Sequence, residues 1–326
     1  MAEKRRRTAA IVGAGAIGGW LADALDRAGW SVSLVARGDT LAALRADGLR
    51  VDRQGESRVS HPAAGTAAEL GAHDFVVLTV KAQSLPELAP HLSPLFGPQT
   101  VAVSGTNGIP WWFFQDFAGP LNDQVLESVD PGGLQAGVFP RDRVLGSVVH
   151  ASVRLAAPCR VQVVAADCML IGEPNGSLTA RVDEFASALR LGGIEARSSE
   201  RIRDEVWTKL WGNMNMNPMS ALTRSGTARL LADADVRELC IRMMEEMREC
   251  ARSLQLDSRM TPLQRIDITR RLGDFRPSML ADVEAGRPLE LAPQLGAVVE
   301  IAERLGVPAP FCRGILGLTR VLDRPL

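Results

Sequence analysis

A run of apolar residues, Ala9-Ala10-Ile11-Val12, passes without a polar break into Gly13-Ala14-Gly15-Ala16-Ile17-Gly18 and on into Gly19-Trp20-Leu21-Ala22. A strand, a glycine turn and a helix in that order confine this part of the chain to a narrow set of folds. Gly13 permits a tight turn, Gly15 lets the backbone approach a pyrophosphate, and Gly18 lets the helix pack closely on the strand. The first helical N–H groups, with Ala16 and Ile17, then present the positive end of the helix to two phosphates. The second strand, Ser31-Val32-Ser33-Leu34-Val35-Ala36, carries no acid to accept from a ribose 2′-hydroxyl; Arg37 stands at its end instead. A planar guanidinium suits a 2′-phosphate. This favours NADP(H) over NAD(H), with a solvated Arg37 as the alternative.

At 326 residues the chain exceeds what one core usually organises, so two domains are expected. Its 37 Lys and Arg against 38 Asp and Glu leave no basic field, so no nucleic-acid partner is expected. No apolar run has the length of a membrane span. The charged lead-in Met1 to Arg7 precedes a stretch broken by glycines and by Asp23 and Asp26, which reads as a first strand and helix rather than a secretory signal. Cys159, Cys168, Cys240, Cys250 and Cys312 are scattered, without Cys-x-x-Cys or Cys/His ligand spacing. They read as reduced thiols in a cytoplasmic protein with no metal site. The absence of tyrosine excludes a dehydrogenase with a Tyr-Lys acid, and His61, His73, His91 and His150 read as structural, with a cleft-facing His150 as the alternative.

The pattern predicts an α/β protein: an N-terminal Rossmann-type doubly wound sheet over residues 1–199 and an all-α C-terminal domain over 200–326. Expected strands are Thr8 to Val12, Ser31 to Ala36, Phe75 to Val80 and Thr100 to Ser104. Arg143 to Arg154, Cys159 to Val164 and Met169 to Gly172 form three further β-rich segments. After Ser199 strand patterns stop, and Arg201 to Met216, Val236 to Leu254, Pro262 to Arg271 and Gln294 to Leu305 read as helices.

In the first of these helices, Lys209, Asn213 and Asn217 follow at steps of four, each about 40° around from the last, so they line one stripe. Buried amides cost energy unless bonded, and a helix rich in Leu, Trp and Met has little structural use for them. The bland alternative is that Asn217 caps the helix before Pro218 while Lys209 points to solvent.

With these motifs in view, the chain resembles the ketopantoate reductase family. The resemblance rests on the glycine turn with Arg37, Val80-Lys81, Thr106-Asn107-Gly108, Lys209-x-x-x-Asn213-x-x-x-Asn217-Pro218, Ser278-Met279-Leu280-x-Asp282 and Leu289-Glu290-Leu291. It implies that Lys209 donates the proton, that Glu290 acts beside it, that Lys81 and Asn107 serve the cofactor, and that Asn107, Asn213, Asn217 and Ser278 bind substrate. It further implies NADPH-dependent reduction of a 2-keto acid, 2-dehydropantoate to pantoate in pantothenate biosynthesis, with a small-molecule keto acid as partner and a homodimer left open. The family commonly has Asp where Ala292 stands; Pro293 can start a helix but Ala292 cannot cap it, and a lost contact to the pocket is the other consequence left open. The aromatic run Trp111-Trp112-Phe113-Phe114 reads first as core. Lining the pocket instead, it would fit a bulkier substrate. The alternatives are a reductase of another small ketone or keto acid, and a non-catalytic NADP(H)-binding sensor.

Overall fold

The computed structural model describes residues 5–257 and 260–323; Met1 to Lys4 of the charged lead-in lie outside them. The chain divides into two compact units, Met1–Thr106 with Leu134–Ile202, and Asn107–Gly133 with Arg203–Leu326.

The first unit runs β1 (Thr8–Val12), α1 (Ala16–Arg27), β2 (Ser31–Val35), α2 (Gly38–Asp47), β3 (Leu49–Arg53), β4 (Glu56–Ser60), β5 (Ala63–Gly65), α3 (Ala67–Leu70), β6 (His73–Leu78), α4 (Leu85–Leu92), β7 (Phe96–Ser104), β8 (Val144–Ala157), β9 (Arg160–Gly172), α5 (Ala180–Leu191) and β10 (Ala196–Ser198). Strands β5, β2, β1, β6, β7 and β8 lie side by side and parallel, with Ile11 opposite Leu34 on one flank and Val77 on the other. Ala9 to Val12 are buried. An unbroken apolar strand is what a parallel sheet covered on both faces demands. The strand order reverses beside β1, and in open α/β sheets the ligand crevice forms at the carboxyl ends of strands at such a point.

The expected separate β segments at 159–164 and 169–172 are one strand, β9, which runs antiparallel to β8 with register shifts along the pair. β9 also carries β3 and β10 in parallel, and β3 turns back into β4. That hairpin is closed by Gln54 and Gly55, both at positive φ, the geometry of a two-residue primed turn. Trp30, Phe75 and Phe185 cluster in the core with ring centroids 5.0–6.1 Å apart, Phe75 stacked on Phe185 and Trp30 tilted or edge-on to both.

The second unit is helical: α6 (Ile202–Thr223, starting one residue before the division), α7 (Thr227–Ala232), α8 (Ala234–Ser253), α9 (Pro262–Arg271), α10 (Ser278–Glu284), α11 (Ala297–Leu305) and α12 (Pro310–Asp323), with a π turn at Ala292–Gly296 before α11. Residues 107–133, which their sequence position assigns to the sheet domain, group with these helices. Their side chains explain why. Trp112, Phe113 and Phe114 are buried, Phe113 stacks on Trp207 of α6 at 6.2 Å, and Arg203 donates to the Phe113 carbonyl at 2.9 Å. From α11, the Glu300 carboxylate accepts from the backbone N–H groups of Glu127 and Ser128 at 2.9 and 2.8 Å.

Helix α6 does not stop at Asn217. It passes through Pro218 to Thr223, its residues from Met214 to Ala221 all buried. Proline removes one backbone donor, and burial of this turn outweighs the loss.

Candidate active site

In the first unit, the turn after β1 and the segment after β6 hold each other. Thr79 donates its N–H to the Val12 carbonyl at 2.9 Å and its hydroxyl to the Val12 and Gly13 carbonyls at 3.0 Å. Gly13 has φ +105°, and a Cβ there would press on Val80. A Cβ on Gly18 would overlap the Gly13 carbonyl, so only glycine lets α1 approach this closely. Gly15 faces open space. It precedes α1 with no side chain capping the helix, leaving the N–H groups around Ala16 and Ile17 for a ligand. This cradle fits a dinucleotide pyrophosphate. Lys81 follows Val80, so the same contact places it at the carboxyl end of β6. Arg37 is exposed just after β2, and its guanidinium bonds no described residue.

In the second unit, Lys209, Asn213 and Asn217 all lie within α6, so the four-residue spacing does form a single stripe. Lys209 Nζ donates to Asn107 Oδ1 at 2.8 Å. Burial brings the ammonium from 10.5 to about 8, while the negative charge of buried Glu290 partly offsets that fall. Asn217 is interior to the helix rather than a cap, and its Nδ2 donates to Gln294 Oε1 at 2.8 Å. Asn213 lies between them, partly buried, its side-chain amide without a hydrogen bond to any described residue. Ser278 is exposed in the first turn of α10 and bonds none of this group.

Glu290 and Gln294 are positioned by the chain around the π turn. Asp282, buried in α10, accepts from Arg287 Nε at 3.0 Å and so anchors the segment leading to Glu290. The Pro293 carbonyl accepts from Ile109 N–H at 2.8 Å, and a Cβ on Gly108, at φ +87°, would overlap it. Asn107 is thereby tied to the turn that follows Glu290. Leu291 is already helical before Ala292, and Gly296 N–H bonds the Leu291 carbonyl at 3.0 Å. The chain enters the π turn in helical conformation and needs no cap at Ala292. Gln294 was not foreseen; a glutamine within a periodic helical segment carries no sign of its burial.

Among the described residues no cluster of His, Cys, Asp and Glu could hold a metal ion, and no helix is long and apolar enough to cross a membrane.

A dinucleotide cradle at the switch point of a parallel sheet, on a chain whose helical unit gathers an amine, amides and a carboxylate, defines a nicotinamide-dependent oxidoreductase. The chain belongs to the ketopantoate reductase family of NADP-dependent oxidoreductases: the family model described as Ketopantoate reductase PanE/ApbA matches residues 9–176, and its C-terminal counterpart matches residues 201–323. It is 40% identical over 314 residues to a 2-dehydropantoate 2-reductase of Mesorhizobium japonicum, covering 96% of each chain. A crystal structure of a Ralstonia solanacearum MolK2 protein of the ketopantoate reductase class superposes with TM-score 0.93 at 38% identity, covering 98% of each. A D-mandelate dehydrogenase solved with NADH and anilino(oxo)acetate shares the fold at TM-score 0.83 and 18% identity, over 97% of this chain and 98% of that one.

Proposed function

We propose that this chain reduces a 2-keto acid, 2-dehydropantoate first, to the 2-hydroxy acid with NADPH, and that Lys209 is the general acid. The observation that carries this is the partly buried amine bonded to Asn107 with Glu290 nearby. An acid works best with a pKa near the operating pH, and about 8 leaves Nζ mostly protonated at neutrality yet ready to give the proton up.

The Gly13, Gly15 and Gly18 turn with Ala16 and Ile17 would hold the pyrophosphate, Arg37 the 2′-phosphate, and Lys81 and Asn107 the ribose and nicotinamide side. When bound, the reduced cofactor supplies a hydride for the carbonyl carbon. Lys209 holds a proton at Nζ and gives it to the carbonyl oxygen as negative charge gathers there. Glu290 keeps the amine charged, and Asn107 orients it. Asn213, Asn217 and Ser278 are assigned to substrate, Asn213 with its amide still unbonded and Asn217 with its Nδ2 committed to Gln294.

The test is loss of NADPH absorbance with 2-dehydropantoate and a panel of other 2-keto acids. Turnover supports the reading. Tight NADPH binding with no turnover on any member would turn the assignment toward a sensor.

A further inference from the structure

Helix α9 opens on a capping box in which Thr261 and Gln264 each bond the other's backbone, so Arg265 stands one turn into a firmly started helix. Its guanidinium reaches across to α6 and lies on Gly212, where a Cβ would overlap Nη2. Glycine weakens a helix interior; here the missing side chain is the space the guanidinium fills. Nη1 donates to Thr269 Oγ1 at 3.0 Å, and that hydroxyl donates onward to the Arg265 carbonyl at 3.2 Å. The remaining donors of the fork reach no acceptor among the described residues, and they are not sealed in by them. Among the described residues no carboxylate pairs with it, whereas its helix neighbour Arg270 has Asp267 at 3.6 Å and Arg287 has Asp282 at 3.0 Å. Burial alone acts on its pKa, holding it below the ordinary arginine value. A cation taken out of water without a counter-charge is costly, and such groups are normally paired.

Gly212 lies three residues after Lys209 and one before Asn213, which sets it about 60° around the helix from Lys209, on the side away from the two amides and about 100° from Asn213, and about 4.5 Å further along than Lys209. The unpaired fork therefore stands beside Lys209, across it from Asn213 and Asn217. A 2-keto acid brings one group for which that stripe has no match, the full charge of its carboxylate. Lys209 is committed to the ketone oxygen, and amides carry no charge. A guanidinium binds a carboxylate through two parallel N–H bonds. We infer that Arg265 is the receptor for the substrate carboxylate, seated on the bare backbone of Gly212 with its unbonded edge toward the ligand. The inference rests on the keto-acid reading above and names the group that enforces it.

The experiment compares 2-dehydropantoate with its neutral lactone, which keeps the ketone and loses the carboxylate, on the full-length chain. Arg265→Met is expected to lower kcat/KM for the acid by about 100- to 1000-fold, mostly through KM, the loss of a charge-assisted bidentate pair. The lactone rate and NADPH affinity should change by less than about threefold, and Arg265→Lys should recover part of the loss because it keeps the charge without the fork. Equal loss on acid and lactone, or loss on neither, overturns the assignment. If Arg265→Met is insoluble, Gly212→Ala displaces the guanidinium instead and must give the same selective loss. If the wild type reduces neither compound, the keto-acid reading fails and calorimetry with pantoate decides Arg265 separately. Binding by wild type that Arg265→Met abolishes retains the receptor; equal binding, or none, removes it.

Discussion

Lys209 Nζ and Asn107 Oδ1 are hydrogen-bonded at 2.8 Å although 102 residues separate them in the chain. The amine is thus aimed by a neutral amide, and its charge is supported from elsewhere, by Glu290. Removing the amine should remove the proton donor and little else. Lys209→Ala is expected to lower turnover by about two to four orders of magnitude with NADPH binding retained. Near-normal turnover in steady-state assays would take the acid role away from Lys209.

The position of that pKa makes a directional prediction. Reduction needs the charged amine, so kcat/KM for the keto acid should be level at neutral pH and fall as pH rises through about 8. Oxidation of the 2-hydroxy acid needs the neutral amine and should rise through the same pH. Glu290→Gln removes the charge that raises this pKa and should move both profiles to lower pH. Profiles that ignore this substitution would disconnect Glu290 from the amine.

Arg37 bears on cofactor choice. It is exposed after β2 with no described partner to hold it elsewhere. Arg37→Ala should weaken NADPH by about 10- to 100-fold, the loss of one charge-assisted contact of about 1.5–3 kcal/mol, and leave NADH nearly unaltered. Equal weakening of both, read by fluorescence titration, would remove the phosphate assignment.

Gly18→Ala tests the cradle through sterics alone. The added methyl overlaps the Gly13 carbonyl and crowds the Thr79 hydroxyl, so α1 must move off β1. The expected cost is about 1–3 kcal/mol of stability from overpacking, with a larger loss of nucleotide affinity. Gly15→Ala, open on that side, should fold normally, which denaturant titration of the two variants side by side will show.

Glu246 provides a prediction independent of the active site. Its two carboxylate oxygens accept from Phe311 and Cys312 N–H, both at 2.9 Å, at the start of α12. An anion there satisfies orphan donors and opposes the helix dipole. Glu246→Gln replaces one acceptor with a donor and should cost about 1–3 kcal/mol; exposed Glu249→Gln serves as the control in thermal melts.

The parts of this protein legible in its sequence are those whose chemistry is local. The β1 turn reads directly because each glycine answers a steric demand within a few residues, and the α6 stripe reads because helical period alone aligns Lys209 with Asn217. Strands β3 and β4 escaped because Arg50, Asp52 and Arg58 make them look like loop, and Gln54-Gly55 is a weaker hairpin sign than Asn-Gly. Pro218 looked like a stop because local propensity says so; only tertiary burial overrides it. Arg265 was invisible for the opposite reason. A charged residue on an amphipathic helix reads as solvated, and nothing in the sequence tells that its partner surface is a glycine more than fifty positions earlier.

The excursion of residues 107–133 into the helical unit has a practical meaning for anyone dissecting this chain. A fragment cut at residue 200 would arrive without the aromatic plug that Trp207 stacks on, without the two amides that Glu300 clasps, and with Lys209 stripped of the Asn107 carbonyl it donates to. The helical unit is encoded in two separated stretches, and isolating it would require stitching them together rather than trimming an end.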